Sequence, residues 1–246
     1  MTMKIWGSLF AALALIVPRV ALAEDPCHTV DFEGTPFTVC AAKATDDVRV
    51  WLKDADGRLI GTPGRLQQQM APGEHLVFAM NGGMYAPDRD PVGLYVENGR
   101  EDHPIVTGAG EGNFGMLPNG VFCVADRLRV IESRRFAAER PECRYATQSG
   151  PMLVIDGALH PRFIPDSDST YIRNGVGVSE DGETAWFVIA DRPVNFHLLA
   201  RFFRDALGAR DALYLDGSIS RLIVPAQGRS DFGWPMGPIV GVVARD

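Results

Sequence analysis

Residues 185–217 read AWFVIADRPVNFHLLARFFRDALGARDALYLDG and contain three patterns in succession. Residues 185–190 are uniformly apolar, as in a buried strand. After Asn195, a good N-cap residue, apolar side chains recur with helical period until Gly208, a common helix stop. Residues 212–215 are apolar again. The stretch predicts a strand, a core-packing helix and a second strand, and the two strands can be parallel neighbours in one sheet.

Short apolar segments separated by turn residues fill much of the remaining chain. They predict strands at 76–80, 93–97, 120–124, 128–132, 152–155, 176–179 and 239–243. Few other segments have the period of a helix. We therefore expect an α+β fold, in which a mixed, largely antiparallel β-sheet is packed by a few helices in a single domain.

Two further elements are predicted near the start of this domain. Residues 48–52 and 59–60 alternate around the turn residues 54–57, which predicts a β-hairpin. Thr62 followed by Pro63 predicts the start of a short helix that extends to about residue 70.

The composition excludes several classes of protein. The chain has 246 residues, of which 46% are hydrophobic and 22% are charged, so it can bury a substantial core. The net charge is -7, and no run of Lys or Arg is longer than Arg134-Arg135, which argues against a nucleic-acid partner.

The N-terminal segment has the features of an export signal. Lys4 precedes the apolar run 5–17, and Ala21 and Ala23 supply the small residues of a cleavage site. The apolar run is shorter than the ~20 residues that a membrane span needs. The alternative is an uncleaved anchor. We favour a cleaved signal peptide over residues 1–23, which leaves a domain over 24–246 without a membrane span, in the periplasm or secreted.

Four cysteines lie in the exported part of the chain: Cys27, Cys40, Cys123 and Cys143. An even number in an oxidising compartment favours disulfides, for which three pairings are possible. A hairpin between Cys27 and Cys40 brings these two face to face, so we expect the pairs Cys27–Cys40 and Cys123–Cys143. A Cys nucleophile or a zinc site is the alternative, but no CxxC occurs. The sequence identifies no particular metal or cofactor.

Two carboxylates directly follow predicted strands. Asp216 follows residues 212–215, and Asp191 follows residues 185–190. Loops at strand ends commonly carry functional groups, and two neighbouring carboxylates can divide acid and base work at a glycosidic bond. The alternative for Asp216 is an aspartate that caps a turn through its own backbone.

Arg173 precedes Gly175 and Gly177, and glycines leave room for an anion to approach. A guanidinium binds phosphate oxygens through two parallel hydrogen bonds, so this segment indicates an anionic substrate. The alternative is a surface arginine paired with a carboxylate.

Three other segments place polar residues beside glycines: residues 81–85, 148–151 and 216–220. Each is also an ordinary turn sequence when taken alone. Taken in order with Arg173, they resemble the phosphodiester glycosidase family, which is related to the enzyme that uncovers mannose 6-phosphate on lysosomal hydrolases.

The resemblance extends over roughly residues 76–243. Residues 81–85 match the family's NGG-aromatic segment, residues 148–151 match its QSGP, and residues 211–217 match its AL-x-LDG. Most members continue LDGGGS, whereas here Gly217 is followed by SIS. The chain resembles a bacterial exported subgroup of the family.

The resemblance implies hydrolysis of a sugar-1-phosphodiester, which releases free sugar and a phosphate monoester. It implies that Arg173 holds the phosphodiester anion and that Asp216 and Asp191 supply carboxylate chemistry. The residues expected to contact substrate are Asn81, Gly82, Gly83, Gln148, Ser149, Gly150, Asn174, Gly217, Ser218 and Ser220. The expected partner is a sugar phosphate or an envelope glycan. The alternative is a non-catalytic envelope protein that binds a glycan or a partner on the same fold.

Overall fold

The computed structural model describes residues 25–216 and 219–246. The predicted signal peptide lies outside these ranges. The strands are β1 (Cys27–Phe32), β2 (Thr35–Lys43), β3 (Asp47–Trp51), β4 (Glu74–Asn81), β5 (Tyr95–Glu97), β6 (Arg100–His103), β7 (Gly120–Val124), β8 (Leu128–Glu132), β9 (Tyr145–Ser149), β10 (Met152–Ile155), β11 (Ala158–Leu159), β12 (Asn174–Val178), β13 (Thr184–Ala190), β14 (Asp211–Asp216), β15 (Leu222–Val224), β16 (Arg229–Ser230) and β17 (Ile239–Arg245). The helices are α1 (Pro63–Gln67), α2 (Ser133–Glu139) and α3 (Phe196–Arg201).

The strands form three sheets. The first has the order β1-β2-β13-β12-β14-β10-β11, the second β16-β15-β4-β17-β3 and the third β6-β5-β9-β7-β8. Neighbouring strands run antiparallel, and the helices are few and short. The predicted α+β class and single domain are confirmed.

One apolar core holds the three sheets together. Phe187 of β13 contacts Phe78 of β4 and Phe122 of β7, with ring centroids 5.3 and 5.5 Å apart. All three rings are fully buried. Burial of a side chain of this size contributes about 1.5–3 kcal/mol. The three rings therefore fix the sheets against one another.

The other face of the first sheet packs against α3. Asn195 caps this helix, because its Oδ1 accepts a hydrogen bond from the backbone N–H of Leu198 at 2.9 Å. The helix ends at Arg201 and continues as a π-helical turn, Phe202–Ala206, so the predicted helix is interrupted before its expected end.

The structure corrects the interpretation of Gly175 and Gly177, because the ring of Phe203 packs against both glycines. A Cβ atom at Gly175 would lie 3.1 Å from the ring of Phe203, and a Cβ at Gly177 would lie 2.6 Å from it. The two glycines therefore make room for an aromatic side chain of the core and not for an anion.

A second correction concerns the strands on either side of α3. Both β13 and β14 pair antiparallel with β12, which lies between them. The two strands run parallel to each other but are not neighbours. The intervening strand comes earlier in the chain, so the order of strand, helix and strand gives no sign of it.

The predicted disulfides are both present. Cys27 and Cys40 lie directly opposite each other in β1 and β2 and are bonded. Cys123 of β7 is bonded to Cys143. The hairpin and the pairings predicted from the sequence are thus confirmed.

Other local predictions differ from the structure. The hairpin at 48–60 is reduced to a single bridge between Lys53 and Leu59, and β3 pairs instead with β17. Helix α1 begins at Pro63 after the N-cap Thr62, as predicted, but ends at Gln67. The central strand of the third sheet, β9, was not predicted. No helix within the described residues is long and apolar enough to cross a membrane.

Candidate functional site

Strands from all three sheets meet at one polar cluster. Asn81 ends β4 of the second sheet and Ser149 ends β9 of the third. Asn174 begins β12 and Asp216 ends β14, both in the first sheet. The first three residues are fully buried, and Asp216 is 9% exposed. Buried polar groups must find hydrogen-bond partners, so their contacts define the site.

Asn81 and Asn174 connect the second sheet to the first. Nδ2 of Asn81 donates to Oδ1 of Asn174 at 3.1 Å, and Nδ2 of Asn174 donates to Oδ1 of Asn81 at 2.9 Å. Oδ1 of Asn174 also accepts the backbone N–H of Asp216 at 3.0 Å, and Oδ1 of Asn81 accepts that of Arg221 at 3.0 Å. The amide pair therefore positions the backbone on both sides of the loop after β14.

Two serine hydroxyls hold the same strand end. Ser149 Oγ donates to the backbone oxygen of Leu215 at 3.0 Å. Ser220 Oγ lies 2.8 Å from the backbone oxygen of Asp216 and 2.8 Å from that of Ile172. A hydroxyl has one proton, so Ser220 donates to one of these acceptors at a time. Both predicted serines thus support the backbone around Asp216.

The predicted glycines are places of close approach. A Cβ atom at Gly82 would lie 3.0 Å from the backbone of β17. A Cβ at Gly83 would lie 2.7 Å from Oγ1 of Thr147, and one at Gly150 would lie 1.8 Å from Oδ1 of Asn119. Of the three, Gly83 lets the chain after β4 approach β9 of the third sheet. The other predicted substrate contacts in this region, Gly217 and Ser218, lie outside the described residues.

Gln148 has a supporting role. Its Oε1 accepts the backbone N–H groups of Leu94 and Val106 at 2.9 and 3.0 Å. Its Nε2 donates to the backbone oxygen of Val106 at 2.6 Å and to Oγ of Ser133 at 2.8 Å. An amide side chain has two donors and two acceptor positions, so this one is satisfied inside the protein. Gln148 therefore braces the loop at Val106, and its contact with substrate stays a prediction.

Arg173 is 1% exposed and points to the α3 side of the first sheet. Nε donates to the backbone oxygen of Val194 at 2.9 Å, Nη1 to the hydroxyl of Tyr214 at 3.2 Å and Nη2 to the backbone oxygen of Ser169 at 3.1 Å. The guanidinium carbon lies 3.8 Å from the ring centroid of Phe196. Burial lowers the pKa of Arg173. Within the described residues, its hydrogen-bond acceptors are all neutral, so the alternative of a surface ion pair is wrong.

The charges of Arg173 and Asp216 both act on Tyr214. Burial raises the pKa of Tyr214, the charge of Arg173 lowers it and the charge of Asp216 raises it. Tyr85 responds to the same carboxylate, because burial first and Asp216 second raise the pKa of its hydroxyl to about 12. The charge of Asp216 therefore acts on two tyrosines, one of which is hydrogen-bonded to the buried Arg173.

Asp191 belongs to a different cluster. Its Oδ2 accepts a hydrogen bond from Oγ1 of Thr38 at 2.8 Å, and its Oδ1 lies 3.1 Å from Nη2 of Arg229. Arg229 also forms an ion pair with Asp231 at 3.0 Å. Since β12 separates β13 from β14, the structure does not place Asp191 and Asp216 at the ends of neighbouring strands.

Arg221 was missed by sequence reasoning. It is 6% exposed, and its guanidinium donates to the backbone oxygens of Asp231, Gly233 and Trp234 at 2.8, 3.2 and 3.0 Å. Burial lowers its pKa. The sequence points to Arg221 only through its position directly after residues 216–220, a segment already singled out. Within residues 25–216 and 219–246, no group of three or more His, Cys, Asp or Glu side chains is arranged to hold a metal ion.

A family comparison places this geometry in context. The family model for phosphodiester glycosidase matches residues 74–243, which include Asn81, Asn174 and Asp216. The chain belongs to the phosphodiester glycosidase family. It is also 36% identical over 215 residues to the uncharacterized protein YigE of Escherichia coli strain K12, which covers 87% of this chain and 84% of the relative. The resemblance noted in the sequence is thus confirmed.

Solved structures share the fold of this family member. A hypothetical protein from Synechocystis matches with a TM-score of 0.57 at 13% identity over 89% of this chain and 61% of the other, so this chain spans less than two thirds of it. The catalytic domain of zebrafish N-acetylglucosamine-1-phosphodiester alpha-N-acetylglucosaminidase, auto-inhibited by its pro-peptide, matches with 0.53 at 14% identity over 88% and 81%. A Burkholderia pseudomallei exported protein matches with 0.51 at 13% identity over 85% and 74%.

Proposed function

We propose that this protein is an exported hydrolase that cleaves a sugar-1-phosphodiester into free sugar and a phosphate monoester. One observation carries the proposal: in a chain of the phosphodiester glycosidase family, the strand end that bears Asp216 lies where three sheets meet, beside a buried arginine. The two disulfides support the exported location, because such bonds persist in oxidising compartments.

In the proposed reaction, the bond between the anomeric carbon and the phosphate oxygen breaks. Water supplies the new hydroxyl of the sugar, and the phosphate monoester leaves with the bonding electron pair. Asp216 accepts a proton from the attacking water or stabilises the positive charge that develops at the anomeric carbon. A phosphate monoester is a weakly basic leaving group, so the departing oxygen needs little protonation. One carboxylate is then sufficient.

Arg173 favours an anion at this site through its charge. Its side chain is buried, so it acts across the hydroxyl of Tyr214 and not through the direct bidentate contact expected from the sequence. Tyr214 accepts a hydrogen bond from Arg173. Burial raises the pKa of Tyr214 although Arg173 and Asn113 act to lower it, so the hydroxyl stays protonated. Tyr214 is itself fully buried, so neither side chain contacts the anion, and Arg173 acts on it through its electric field.

The test is phosphorus NMR of residues 24–246 incubated with an alkyl N-acetylglucosamine-1-phosphodiester in ¹⁸O-labelled water. Cleavage at the anomeric carbon puts the label in the sugar, whereas cleavage at phosphorus puts it in the phosphate and shifts the phosphorus signal. We expect an unlabelled phosphate monoester and an equal amount of reducing sugar. Asp216→Asn, which keeps the size of the side chain, should lower the rate by about a thousandfold.

A chelator is added in parallel, so that a metal requirement is measured directly. If the folded protein turns over none of several sugar-1-phosphodiesters, with and without added divalent cations, the hydrolase proposal fails. The non-catalytic glycan-binding alternative would then be favoured. Label found in the phosphate would also contradict the proposal, because it would identify a phosphodiesterase.

A further inference from the structure

Two exposed aromatic side chains lie close to the candidate site in sequence and in space. Phe232 is fully exposed and Trp234 is 77% exposed. We call residues 231–234 the aromatic loop. Side chains of this size are usually buried, and grouped exposed apolar surface marks sites of recognition.

The backbone of the aromatic loop is fixed from below. Arg221 donates to three of its four carbonyl oxygens, at distances of 2.8 to 3.2 Å. The N–H of Leu222 donates to Oδ2 of Asp231 at 2.9 Å, and the N–H of Asp231 donates to the oxygen of Leu222 at 3.1 Å. Burying a guanidinium is unfavourable unless it is hydrogen-bonded. The buried guanidinium of Arg221 makes its hydrogen bonds to the backbone of this exposed loop. The loop is therefore preformed.

Gly233 explains the direction of the two rings. A Cβ atom at Gly233 would lie 3.3 Å from Cδ of Arg221, so this residue faces the arginine. Its two neighbours, Phe232 and Trp234, project into solvent. Both side chains therefore lie on the solvent side of the loop, away from Arg221. The two rings thus form a platform on the outer side of the loop.

The platform is connected to the residues around Asp216. The backbone N–H of Arg221 donates to Oδ1 of Asn81, which belongs to the amide pair that positions Asp216. Directly after the loop, the oxygen of Pro235 lies 3.4 Å from the hydroxyl of Tyr85. The charge of Asp216 acts on that same tyrosine. Both ends of the loop are therefore held by the site.

We propose that the aromatic loop is a carbohydrate subsite, on which Phe232 and Trp234 stack against a sugar ring next to the one that is released. This inference rests on the proposed function and names its substrate class: phosphodiesters that carry at least two sugars. A pyranose ring presents a face of C–H groups, and an aromatic face carries negative charge density that attracts it. Preformed aromatic surfaces bind such ligands with little loss of entropy.

A lipid surface is the competing occupant for exposed Phe and Trp. Binding to anionic membranes normally combines aromatic side chains with clusters of Lys and Arg. The chain has a net charge of -7, and the loop itself contributes Asp231, whose partner Arg229 is shared with Asp191. The charges therefore favour the glycan.

The test compares two substrates that differ only by one added sugar. We expect Trp234→Ala and Phe232→Ala each to raise KM for the longer substrate about fivefold and to leave kcat unchanged, because stacking of this kind contributes about 1 kcal/mol per ring. For the shorter substrate, kcat/KM should stay unchanged. Trp234→Phe should keep most of the effect of the ring, whereas Trp234→Leu, which is apolar without a flat face, should behave like the alanine variant.

Binding is measured separately from turnover. Asp216→Asn is titrated with a panel of neutral and phosphorylated oligosaccharides, and saturation-transfer NMR reports contact between sugar protons and aromatic rings. Binding that is lost in Asp216→Asn/Trp234→Ala supports the subsite even if wild type hydrolyses nothing. Hydrolysis with identical KM values in wild type and Trp234→Ala supports the hydrolase but overturns the subsite. The subsite would also be overturned, in favour of a membrane, if wild type and Trp234→Leu sediment with phosphatidylglycerol vesicles and Trp234→Ala does not.

Discussion

Asp191 and Asp216 each follow an apolar strand of the first sheet, yet they lie in different surroundings. Both oxygens of Asp191 are bonded, one to Thr38 and one to Arg229, and the side chains of the ion pair are each 25% exposed. At Asp216, neutral side chains hold the backbone: Asn174 accepts its N–H, Ser220 contacts its carbonyl oxygen, and Ser149 donates to the oxygen of the preceding Leu215. The surroundings of a carboxylate at a strand end thus depend on which residues distant in the sequence the fold brings to it.

The arginines differ in the same way. Arg229 contacts two carboxylates directly, so its charge is compensated where it stands. Arg173 contacts neutral oxygens, among them the hydroxyl of Tyr214, on which the charge of Asp216 also acts. A direct ion pair cancels the two charges, whereas an arginine bonded to neutral oxygens keeps a positive field available to an anion. Three measurements compare the surroundings of Asp216 with those of Asp191.

The largest difference is expected in turnover. Asp216→Asn should reduce phosphodiester hydrolysis about a thousandfold, because the replaced carboxylate contacts the reacting centre in the proposed reaction. Asp191→Asn should stay within about tenfold of wild type, since its oxygens serve Thr38 and Arg229. Rates are measured by release of reducing sugar. Equal losses in the two variants, with both folded, would return Asp191 to the catalytic role expected from the sequence.

The second difference is expected in stability. Asn174→Ala should lower the free energy of unfolding by about 2–4 kcal/mol, because it leaves the amide of Asn81 and the N–H of Asp216 buried without this partner. Thr38→Val, which removes a hydroxyl from the Asp191 cluster, should cost about 1 kcal/mol. Urea unfolding followed by tryptophan fluorescence measures both. A smaller loss for Asn174→Ala than for Thr38→Val would show that the amide pair does not hold the sheets together.

The smallest difference is expected in the titration of Tyr85. Its pKa of about 12 is raised by burial and by the charge of Asp216, so Asp216→Asn should move it towards the ordinary value. Asp191→Asn should leave it in place. Phenolate absorbance measures the titration, and Tyr85→Phe identifies the signal. If the pKa of Tyr85 is unchanged in Asp216→Asn, the charge of Asp216 does not act on Tyr85, and this prediction is wrong.

The same titration affects stability at high pH. The folded pKa of Tyr85 lies above that of an unfolded tyrosine, near 10. The unfolded chain therefore loses this proton first, and the stabilising contribution is lost as pH rises from about 10 to about 12. In Asp216→Asn that window should become narrower.

Local features were well predicted from the sequence. Strands β7, β8 and β10 have the predicted bounds, Asn195 caps α3 as expected, and both disulfides are present. Apolar runs, caps and turns act over a few residues, and their signals are written in consecutive residues. The polar strand β9, with Gln148 and Ser149 buried in it, lacked such a signal.

The sequence by itself determined the family, the α+β class and the disulfide pairs, and it singled out Asn81, Asn174 and Asp216. Only the tertiary structure decided that Gln148 braces a loop, that Gly175 and Gly177 accommodate Phe203, and that Asp191 pairs with Arg229. The physical reason is the range of the interactions. A buried polar group is satisfied by whatever the fold brings within 3 Å, and for Asn81 that partner is 93 residues away.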